Sequence, residues 1–446
     1  MKKMKKFICF TVLLALFSTV SAGAYTYTPK NETVSDSVYM YNITLDSVVY
    51  SKNATVRKDP SYLTQIMTAI VAAENCPDWN TVVKAPAYIY NELFVYNQSH
   101  SSALPTADIV ANEEVLMRDL LYAMVVRSSC EAASIVADYI GNGSIQNFVK
   151  LMNDKAAALG CTNTHFATPH GALSEENYTT AEDLFKIYKY ALTIPGFDEL
   201  FASTRYTIPE SPLNKNNRVL TSESYLVDYY SSFYYKYATT AKHSGTSSAG
   251  MSLVSTAEKD GFSYMIVTMG APRYDSAGEY GAGLIDQKKL YEWAFNDLRV
   301  TKILDADQSI DEVKVTLSQN KDFVLLYPES DFSFLLPNEV SVDSIQLIKN
   351  IPESIKAPVK AGDVVGTVTL MLAAEKLATV NLVAGSDLAA APVMKAVDIV
   401  GMILTSPWTI GIFIFLVVCL IALIVYARVR QLNRRKYKTV RRRRRF

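Results

Sequence analysis

The residues of this chain that have the chemistry for nucleophilic catalysis or metal binding are few. Its 446 residues include five cysteines and four histidines. Cys9 and Cys419 fall within long apolar segments, which leaves Cys76, Cys130 and Cys161 elsewhere. Three widely spaced cysteines do not make a disulfide framework, and no pair has the spacing of zinc ligands. We therefore expect neither a structural metal nor a cofactor.

A thiol and an imidazole are the sharpest candidates among these residues. Cys130 and His243 would act as nucleophile and base, in a thiol hydrolase, if the fold brought them together across one cleft. A free cysteine is more often buried and unreactive. The sequence thus favours Cys130 as a small residue that packs a helix and His243 as a partly exposed strand residue.

A group of tyrosines is the other feature with chemical potential. Tyrosine rings can stack on sugars and present a hydroxyl beside them. An aromatic strand or loop face explains such a group at least as well, so both interpretations stay open. The group comprises Tyr225, Tyr229, Tyr230, Tyr234, Tyr235 and Tyr237.

The elements that must position these residues include both helices and strands. Apolar residues spaced by three and four predict helices at 60–73, 116–140, 148–159 and 179–194. Alternating residues predict a strand within 37–50, and the turn at Asp260-Gly261 predicts a hairpin of 252–257 with 262–269. A last helix at 288–298 would close this domain, and short strands at 312–317, 365–372 and 378–383 predict a separate β-rich domain.

Both ends of the chain carry targeting signals. Residues 1–24 are predicted to be a signal peptide, because four lysines precede an uncharged apolar run and small residues follow it. Residues 407–427 are apolar and long enough to span a bilayer, with Trp408 and Tyr426 as interfacial residues. Eleven basic residues within 428–446 predict a cytoplasmic tail, and hence a single-pass membrane protein whose main domains lie outside the cell.

The formal net charge of zero conceals a separation of charge. The chain has 44 basic and 44 acidic residues, and fifteen of the basic ones lie in the signal and the tail. The exported part is therefore acidic, and nucleic acid is not an expected partner. The apolar helix and the basic tail predict contact with membrane lipid.

Three sequence blocks, in order, resemble the serine D-Ala-D-Ala carboxypeptidases, which are low-molecular-weight penicillin-binding proteins. They are Asp119 to Ser128 (DLLYAMVVRS), Phe148 to Gly171, and Ala249 to Ala257 (AGMSLVSTA). The resemblance covers about residues 35–300. It implies an α+β fold with a β-lactamase/DD-peptidase-like core, in which helices and a helical subdomain flank an antiparallel sheet. A small C-terminal β-domain and one C-terminal transmembrane helix complete the implied architecture.

The expected organisation is a signal peptide and five further segments. These are a carboxypeptidase-like domain at 25–300, a β-rich domain at 301–385, a linker or interfacial helix at 386–406, the transmembrane helix at 407–427 and the basic tail at 428–446.

The resemblance also locates three motifs, and each is altered. In SxxK, a serine nucleophile and a lysine base share one helix face. Tyr62 stands where the serine belongs and Gln65 where the lysine belongs. The neighbouring Ser61 points about 100° away around a helix, and a solvated first-turn serine is its expected role.

The second and third motifs would bind substrate in that family. SxN corresponds to Ser128-Ser129-Cys130, so the serine remains and a thiol replaces the amide. KTG corresponds to Lys242-His243-Ser244, in which Lys242 keeps a charge able to attract a carboxylate and Ser244 adds bulk beside the cleft.

Three functions remain open on this basis. Because the nucleophile and the base are both replaced, we expect a catalytically inactive family member that binds a peptidoglycan stem peptide or a wall-synthesis protein. An active carboxypeptidase with shifted residues, using Ser61, Ser128 and Lys242, is the first alternative. The Cys130/His243 thiol hydrolase is the second.

Overall fold

The computed structural model describes residues 27–442 except 31, 100–102, 173, 175, 247–248, 275–277, 393–395, 397–399 and 402–405. The expected signal peptide and most of the interfacial helix expected within 386–406 lie outside the described residues. Within them, helices and antiparallel strands build the expected α+β fold.

Among the described residues, the first part of the chain contains nine strands. A five-stranded antiparallel sheet has the order β2-β1-β9-β8-β7, and the other four strands form two short pairs, β3 with β4 and β5 with β6. The bounds are β1 Ser37–Asn42, β2 Ser47–Lys52, β3 Val82–Lys84, β4 Glu114–Leu116, β5 Arg205–Ile208, β6 Arg218–Thr221, β7 Ala238–Thr246, β8 Gly250–Lys259 and β9 Phe262–Ala271.

The predicted hairpin joins β8 to β9 by a two-residue turn. Lys259 pairs with Phe262, so Asp260 and Gly261 alone form the loop. Their φ angles are 54° and 81°, as a type I′ turn requires at both central positions. Glycine adopts such a φ without steric cost, and Asp is among the residues that tolerate it.

In the described portion of this part of the chain there are eight helices, and a 3-10 helix at Ser61–Leu63 leads into the first. Ser129, Ser144 and Thr180 cap three of them, because each side-chain oxygen accepts a backbone N–H of the first turn. The bounds are α1 Thr64–Asn75, α2 Ala87–Ser99, α3 Met117–Arg127, α4 Cys130–Ile140, α5 Ile145–Ala158, α6 Ala181–Ala191, α7 Phe197–Ala202 and α8 Ala282–Asp297.

The single helix predicted at 116–140 is two helices. Ser128, between α3 and α4, has a φ of 57° and a ψ of 34°, which is left-handed and ends a right-handed helix. Ser129 then restarts the chain as the N-cap of α4. Apolar periodicity continues through the break, so it carried no sign of this turn in the backbone.

Helix α1 lies at the centre of the first hydrophobic core. Every residue from Thr64 to Ala73 is buried, and helices α3 to α6 pack around it. This packing fixes the position of the first turn of α1, where the resemblance places the altered SxxK motif. A fully enclosed helix gives a rigid base for side chains at its N-terminus.

Eight more strands follow α8 in the residues that the structure describes. A six-stranded sheet has the order β14-β16-β17-β12-β11-β15, in which only β11 and β15 run parallel, and β10 pairs with β13. The bounds are β10 Leu298–Leu304, β11 Asp311–Thr316, β12 Phe323–Pro328, β13 Phe332–Pro337, β14 Ile345–Asn350, β15 Ser354–Lys356, β16 Val364–Leu372 and β17 Glu375–Ala384. A second core joins these strands to α8 and the far side of the five-stranded sheet.

A long helix at Pro407–Arg442 ends the described chain. Within Pro407–Leu432, its most apolar 18-residue stretch has a mean hydropathy of 3.1, and none of that stretch is buried against the rest of the protein. By length and composition this helix is able to cross a membrane.

Candidate functional site: the altered cleft

Three segments of the fold meet beside the sheet, where the sequence resemblance places the altered cleft. The 3-10 helix and α1 bring Tyr62 and Gln65, the junction of α3 and α4 brings Ser128 and Cys130, and β7 brings the residues from 242 to 244. The 3-10 helix packs against β7. All seven residues expected at the site therefore lie on elements that surround this cleft.

Gln65 is fully buried and acts as a hydrogen-bond donor at two places. Its amide nitrogen lies 3.0 Å from the carbonyl oxygen of Ser128 and 3.2 Å from that of His170. Both partners are acceptors only, which fixes the orientation of the amide group. Gln65 thus ties α1 to the α3–α4 junction and to the segment at 167–172.

Lys242 points into the protein rather than into the cleft. Its ammonium nitrogen lies 3.0 Å from the carbonyl oxygens of Met124 and Val125 and 2.7 Å from Oγ of Ser128. These three acceptors match the three hydrogens of an ammonium group. Burial lowers the pKa of Lys242 to about 7.

Tyr62 covers a small apolar cluster beside the cleft. Its ring packs against Leu104, Cys130 and Ala172. Burial raises the pKa of the Tyr62 phenol above its usual value, so the hydroxyl stays protonated. Tyr62, which the sequence resemblance assigns to the nucleophile position, therefore has a neutral, packed ring.

Cys130 is buried at the first position of α4. Its thiol donates a weak hydrogen bond, 3.9 Å long, to the carbonyl oxygen of Ser128. Burial raises its pKa well above the usual value, and the carboxylate of Glu131 acts in the same direction. Since the thiolate is the reactive form of cysteine, this environment suppresses nucleophilic chemistry at Cys130.

His243 is also buried, with 4% of its surface exposed, so the expectation of a partly exposed residue was wrong. Its Nδ1 lies 3.5 Å from Oε2 of Glu223, and its ring lies 6.0 Å from that of Tyr225. The neighbouring imidazole of His243 holds the pKa of Glu223 below its usual range. Glu223 carried no signal in the sequence, because it lies in an irregular segment that only the fold brings to β7.

The side chain of Ser244 contacts the backbone of the 3-10 helix. Its Oγ accepts the backbone N–H of Tyr62 across 3.0 Å. Backbone N–H groups at the start of a helix are otherwise free donors that bind anions. In this protein the donor at Tyr62 is occupied by a side chain of the neighbouring strand.

Ser61 is not solvated, contrary to expectation, since 2% of its surface is exposed. Its φ is 49°, and its N–H donates to the carboxylate of Asp59. The backbone of Gly171 lies against it, because a Cβ on Gly171 would come within 2.0 Å of the Ser61 carbonyl oxygen. Glycine is therefore required at 171 for this close approach.

The tyrosines of 225–237 do not form one face. Tyr229 and Tyr230 are 74% and 93% exposed, whereas Tyr235 is buried in the second core and Tyr225 packs beside His243.

In the part of the chain that the structure describes, no group of three or more His, Cys, Asp and Glu side chains is placed to hold a metal ion.

Residues 25–273 match the family described as D-alanyl-D-alanine carboxypeptidase. The chain belongs to the D-alanyl-D-alanine carboxypeptidase family. Residues 299–390 match the C-terminal domain of penicillin-binding protein 5. The family resemblance of the sequence blocks is thereby confirmed.

Curated relatives carry the same family name. A D-alanyl-D-alanine carboxypeptidase of Haemophilus influenzae is 26% identical over 386 residues, which cover 85% of this chain and 92% of that protein. A second, from Bacillus subtilis, is 25% identical over 343 residues, 76% of this chain and 82% of that protein. This protein is thus a cell-wall protein of the carboxypeptidase family.

Solved structures agree with the fold. Penicillin-binding protein 5 from Haemophilus influenzae superposes with a TM-score of 0.59 at 23% identity, covering 81% of this chain and 99% of that one. The carboxypeptidase DacD from Francisella tularensis gives 0.63 at 22% identity, covering 82% and 96%. The expected α+β architecture with a C-terminal β-domain is confirmed.

Proposed function

We propose that this protein is a catalytically inactive carboxypeptidase-family member that binds peptidoglycan stem peptides without hydrolysing them. The observation that carries the proposal is the state of Gln65. It stands where the family keeps its lysine base, and its amide group donates to two carbonyl oxygens. An amide takes no proton at physiological pH, so it cannot activate a nucleophile.

The nucleophile position supports the same conclusion. The phenol of Tyr62 has a raised pKa and a ring packed on Leu104, Cys130 and Ala172. The neighbouring Ser61 is buried. Covalent catalysis needs a deprotonated, accessible nucleophile, and neither residue meets this condition.

The backbone N–H of Tyr62, which could stabilise a developing negative charge, is also occupied. Acyl transfer needs N–H groups aimed at the oxyanion of the tetrahedral intermediate. The N–H of Tyr62 instead meets Oγ of Ser244. An arriving carbonyl oxygen would have to displace this hydroxyl.

Strand β7 is still able to bind an extended peptide along its edge. This strand is the last one of the five-stranded sheet and pairs only with β8 among the described strands. An extended peptide can add to such an edge through backbone hydrogen bonds. His243 and Glu223 would then contact the bound peptide, because their pair lies on this strand and next to it.

Incubation of the purified full-length chain with a synthetic pentapeptide ending in D-Ala-D-Ala tests the proposal. We expect saturable binding by calorimetry and no release of D-alanine by mass spectrometry. Release above that of a protein-free control would refute the proposal. The Tyr62→Ser, Gln65→Lys double variant is the matched comparison, since it restores the family residues at both positions.

A second candidate rests on the contact between Ser128 and Lys242. Oγ of Ser128 lies 2.7 Å from an amine whose pKa is lowered to about 7, and serine–lysine pairs of this kind catalyse acyl transfer in other proteins. An active enzyme using this pair would release D-alanine, and the release would vanish in Ser128→Ala. The two carbonyl oxygens that hold the same amine favour the first candidate.

We propose further that the helix at Pro407–Arg442 anchors the protein in the cell membrane, with the main domains outside. Its apolar part and the basic residues after it support this orientation. Protease added to intact cells should digest the main domains and spare an epitope tag at the C-terminus. Digestion of the tag in intact cells would reverse the orientation.

A further inference from the structure

The segment that joins β6 to β7 carries aromatic rings that the altered cleft does not use. We call this segment, residues 222–237, the tyrosine loop. Tyr229 and Tyr230 in its middle are 74% and 93% exposed, and no other tyrosine that the structure describes is as exposed. Single exposed rings are common on protein surfaces, whereas adjacent exposed rings are typical of binding surfaces.

The backbone of the tyrosine loop is fixed by its own hydrogen bonds. The N–H of Ser231 donates to the carbonyl oxygen of Asp228 at 2.9 Å, and the N–H of Tyr234 donates to that of Ser231 at 3.1 Å. The carboxylate of Asp228 also accepts the N–H of Tyr230 at 3.0 Å, which is the pattern of an Asx turn. Because these turns hold the exposed rings in place, a ligand would lose little affinity to ordering of the loop.

The base of the tyrosine loop is anchored in the second core. Leu226 is fully buried there, and its carbonyl oxygen accepts the N–H of Tyr235 at 2.9 Å. The ring of Tyr235 stacks on that of Tyr291 in α8, with centroids 5.6 Å apart and an angle of 9° between the planes. The buried residues thus hold the loop, and substitution of the exposed rings is expected to leave the fold intact.

The exposed rings stand at steep angles to one another. The centroids of Tyr229 and Tyr230 are 5.6 Å apart with 86° between the planes, and those of Tyr229 and Tyr234 are 5.4 Å apart with 68°. The face of an aromatic ring is partially negative, and the C–H groups on one side of a sugar ring are partially positive, so the two surfaces stack. Rings at right angles can contact two sides of one sugar.

The composition of the tyrosine loop favours a neutral, hydroxyl-rich ligand. Its aliphatic residues Leu226 and Val227 are buried and half-buried, so the loop offers rings without the wider apolar core of a protein interface. Its two carboxylates, Glu223 and Asp228, and its one ammonium group, Lys236, leave a net charge of −1. This charge disfavours a polyanion. Tyrosine and serine hydroxyls beside the rings can exchange hydrogen bonds with sugar hydroxyls.

We propose that Tyr229 and Tyr230 bind the glycan strand of the cell wall, a polymer of β-linked N-acetylated hexosamines, by stacking on its sugar rings. The inference goes beyond the proposed function, because it assigns the sugar strand, and not the peptide, to a surface outside the cleft. The tyrosine loop adjoins β7, since the ring of Tyr225 lies 6.0 Å from that of His243. A wall fragment that reaches both the loop and the strand would gain affinity from two contacts.

Calorimetric titration of the full-length chain in detergent with a hexasaccharide of β-linked N-acetylglucosamine tests this. We expect saturable binding that weakens at least about tenfold in the Tyr229→Ala, Tyr230→Ala double variant, because both stacking surfaces are lost. The Tyr229→Phe, Tyr230→Phe double variant keeps both rings, and its affinity should stay within about threefold of wild type. Tyr139→Ala, at an exposed position of α4, is the control and should leave the affinity unchanged. Circular dichroism checks that each variant is folded.

Absence of binding by the wild-type chain would overturn the inference. Equal affinities of the wild type and the alanine double variant would also overturn it, because the sugar would then bind elsewhere. Tighter binding of poly(glycerol phosphate) than of the hexasaccharide would assign the rings to an anionic polymer instead. The hexasaccharide contains no peptide, so release of D-alanine from a stem peptide, which would refute the proposed function, leaves this result unchanged.

Discussion

Oγ of Ser244 accepts the backbone N–H of Tyr62 across 3.0 Å, which ties the strand beside the cleft to the first turn of the helix opposite. The family keeps glycine at the position of Ser244, according to the sequence resemblance. The hydroxyl of Ser244 therefore occupies a backbone donor of the 3-10 helix, on a different element from its own strand.

We expect removal of this hydroxyl to matter once a nucleophile is restored. The triple variant Tyr62→Ser, Gln65→Lys, Ser244→Gly should react with a penicillin at least about tenfold faster than the double variant lacking Ser244→Gly, because one N–H donor is freed for the oxyanion. Stopped-flow measurement of acylation checks this. Equal rates in the two variants would mean that the Ser244 contact does not hinder acyl transfer.

Gln65 should be important for stability, since its buried amide nitrogen joins α1 to carbonyl oxygens of two other segments. Gln65→Leu leaves the carbonyl oxygens of Ser128 and His170 without this donor, and we expect a loss of about 2–3 kcal/mol in the free energy of unfolding. Urea denaturation of the full chain measures it. Gln346→Leu, on an exposed strand position, serves as the control, with an expected change below about 0.5 kcal/mol. Similar losses in both variants would contradict the structural role of Gln65.

Glu131 should make stability depend on pH. Burial raises its pKa from 4.5 to about 7, so the folded chain holds a proton that the unfolded chain releases between these values. Its contribution to the free energy of unfolding is thus fully present below about pH 4.5 and is lost as pH rises through 7. Compared with Glu131→Gln, the wild-type chain should lose about 1–3 kcal/mol between pH 4.5 and 7.5. Denaturant titration measures the free energy of unfolding of both proteins. A constant difference between wild type and Glu131→Gln over this pH range would contradict the raised pKa.

Cys130 should be unreactive in the folded protein. Burial raises its pKa, so iodoacetamide at pH 8 should modify it at least about a hundredfold more slowly in the native chain than in urea. Peptide mass spectrometry gives the extent of modification at this residue. Rapid native alkylation, combined with loss of a wall-related activity in Cys130→Ala, would instead favour the thiol hydrolase.

Much of the fold was accessible from the sequence because its signals are local. The Asp260-Gly261 turn specified the hairpin, and apolar spacing placed helices α1, α5 and α6 to within a few residues. The break at Ser128 was missed because helix periodicity runs through it on both sides. A left-handed serine there is held by tertiary contacts with Lys242 and Gln65, which no local pattern records.

The assignment of residues to the three motifs stays a prediction of the sequence resemblance, and the environments of those residues were not accessible from the sequence. The sequence placed Tyr62, Gln65 and Lys242 in the motifs, yet it left Lys242 free to attract a carboxylate. The fold directs that amine to carbonyl oxygens of α3. Glu223 and His170 entered the site only through long-range contacts, as did the burial of Ser61 and His243.

Intact-mass spectrometry of the full-length chain after incubation with a penicillin determines whether this protein still forms an acyl-enzyme. We expect an unmodified wild-type protein, and a penicilloyl adduct on the Tyr62→Ser, Gln65→Lys double variant alone. Circular dichroism of the same wild-type sample should show that the fold is intact. An adduct on the wild-type chain, at Ser61, Ser128 or any other residue, would contradict the claim that catalysis has been lost.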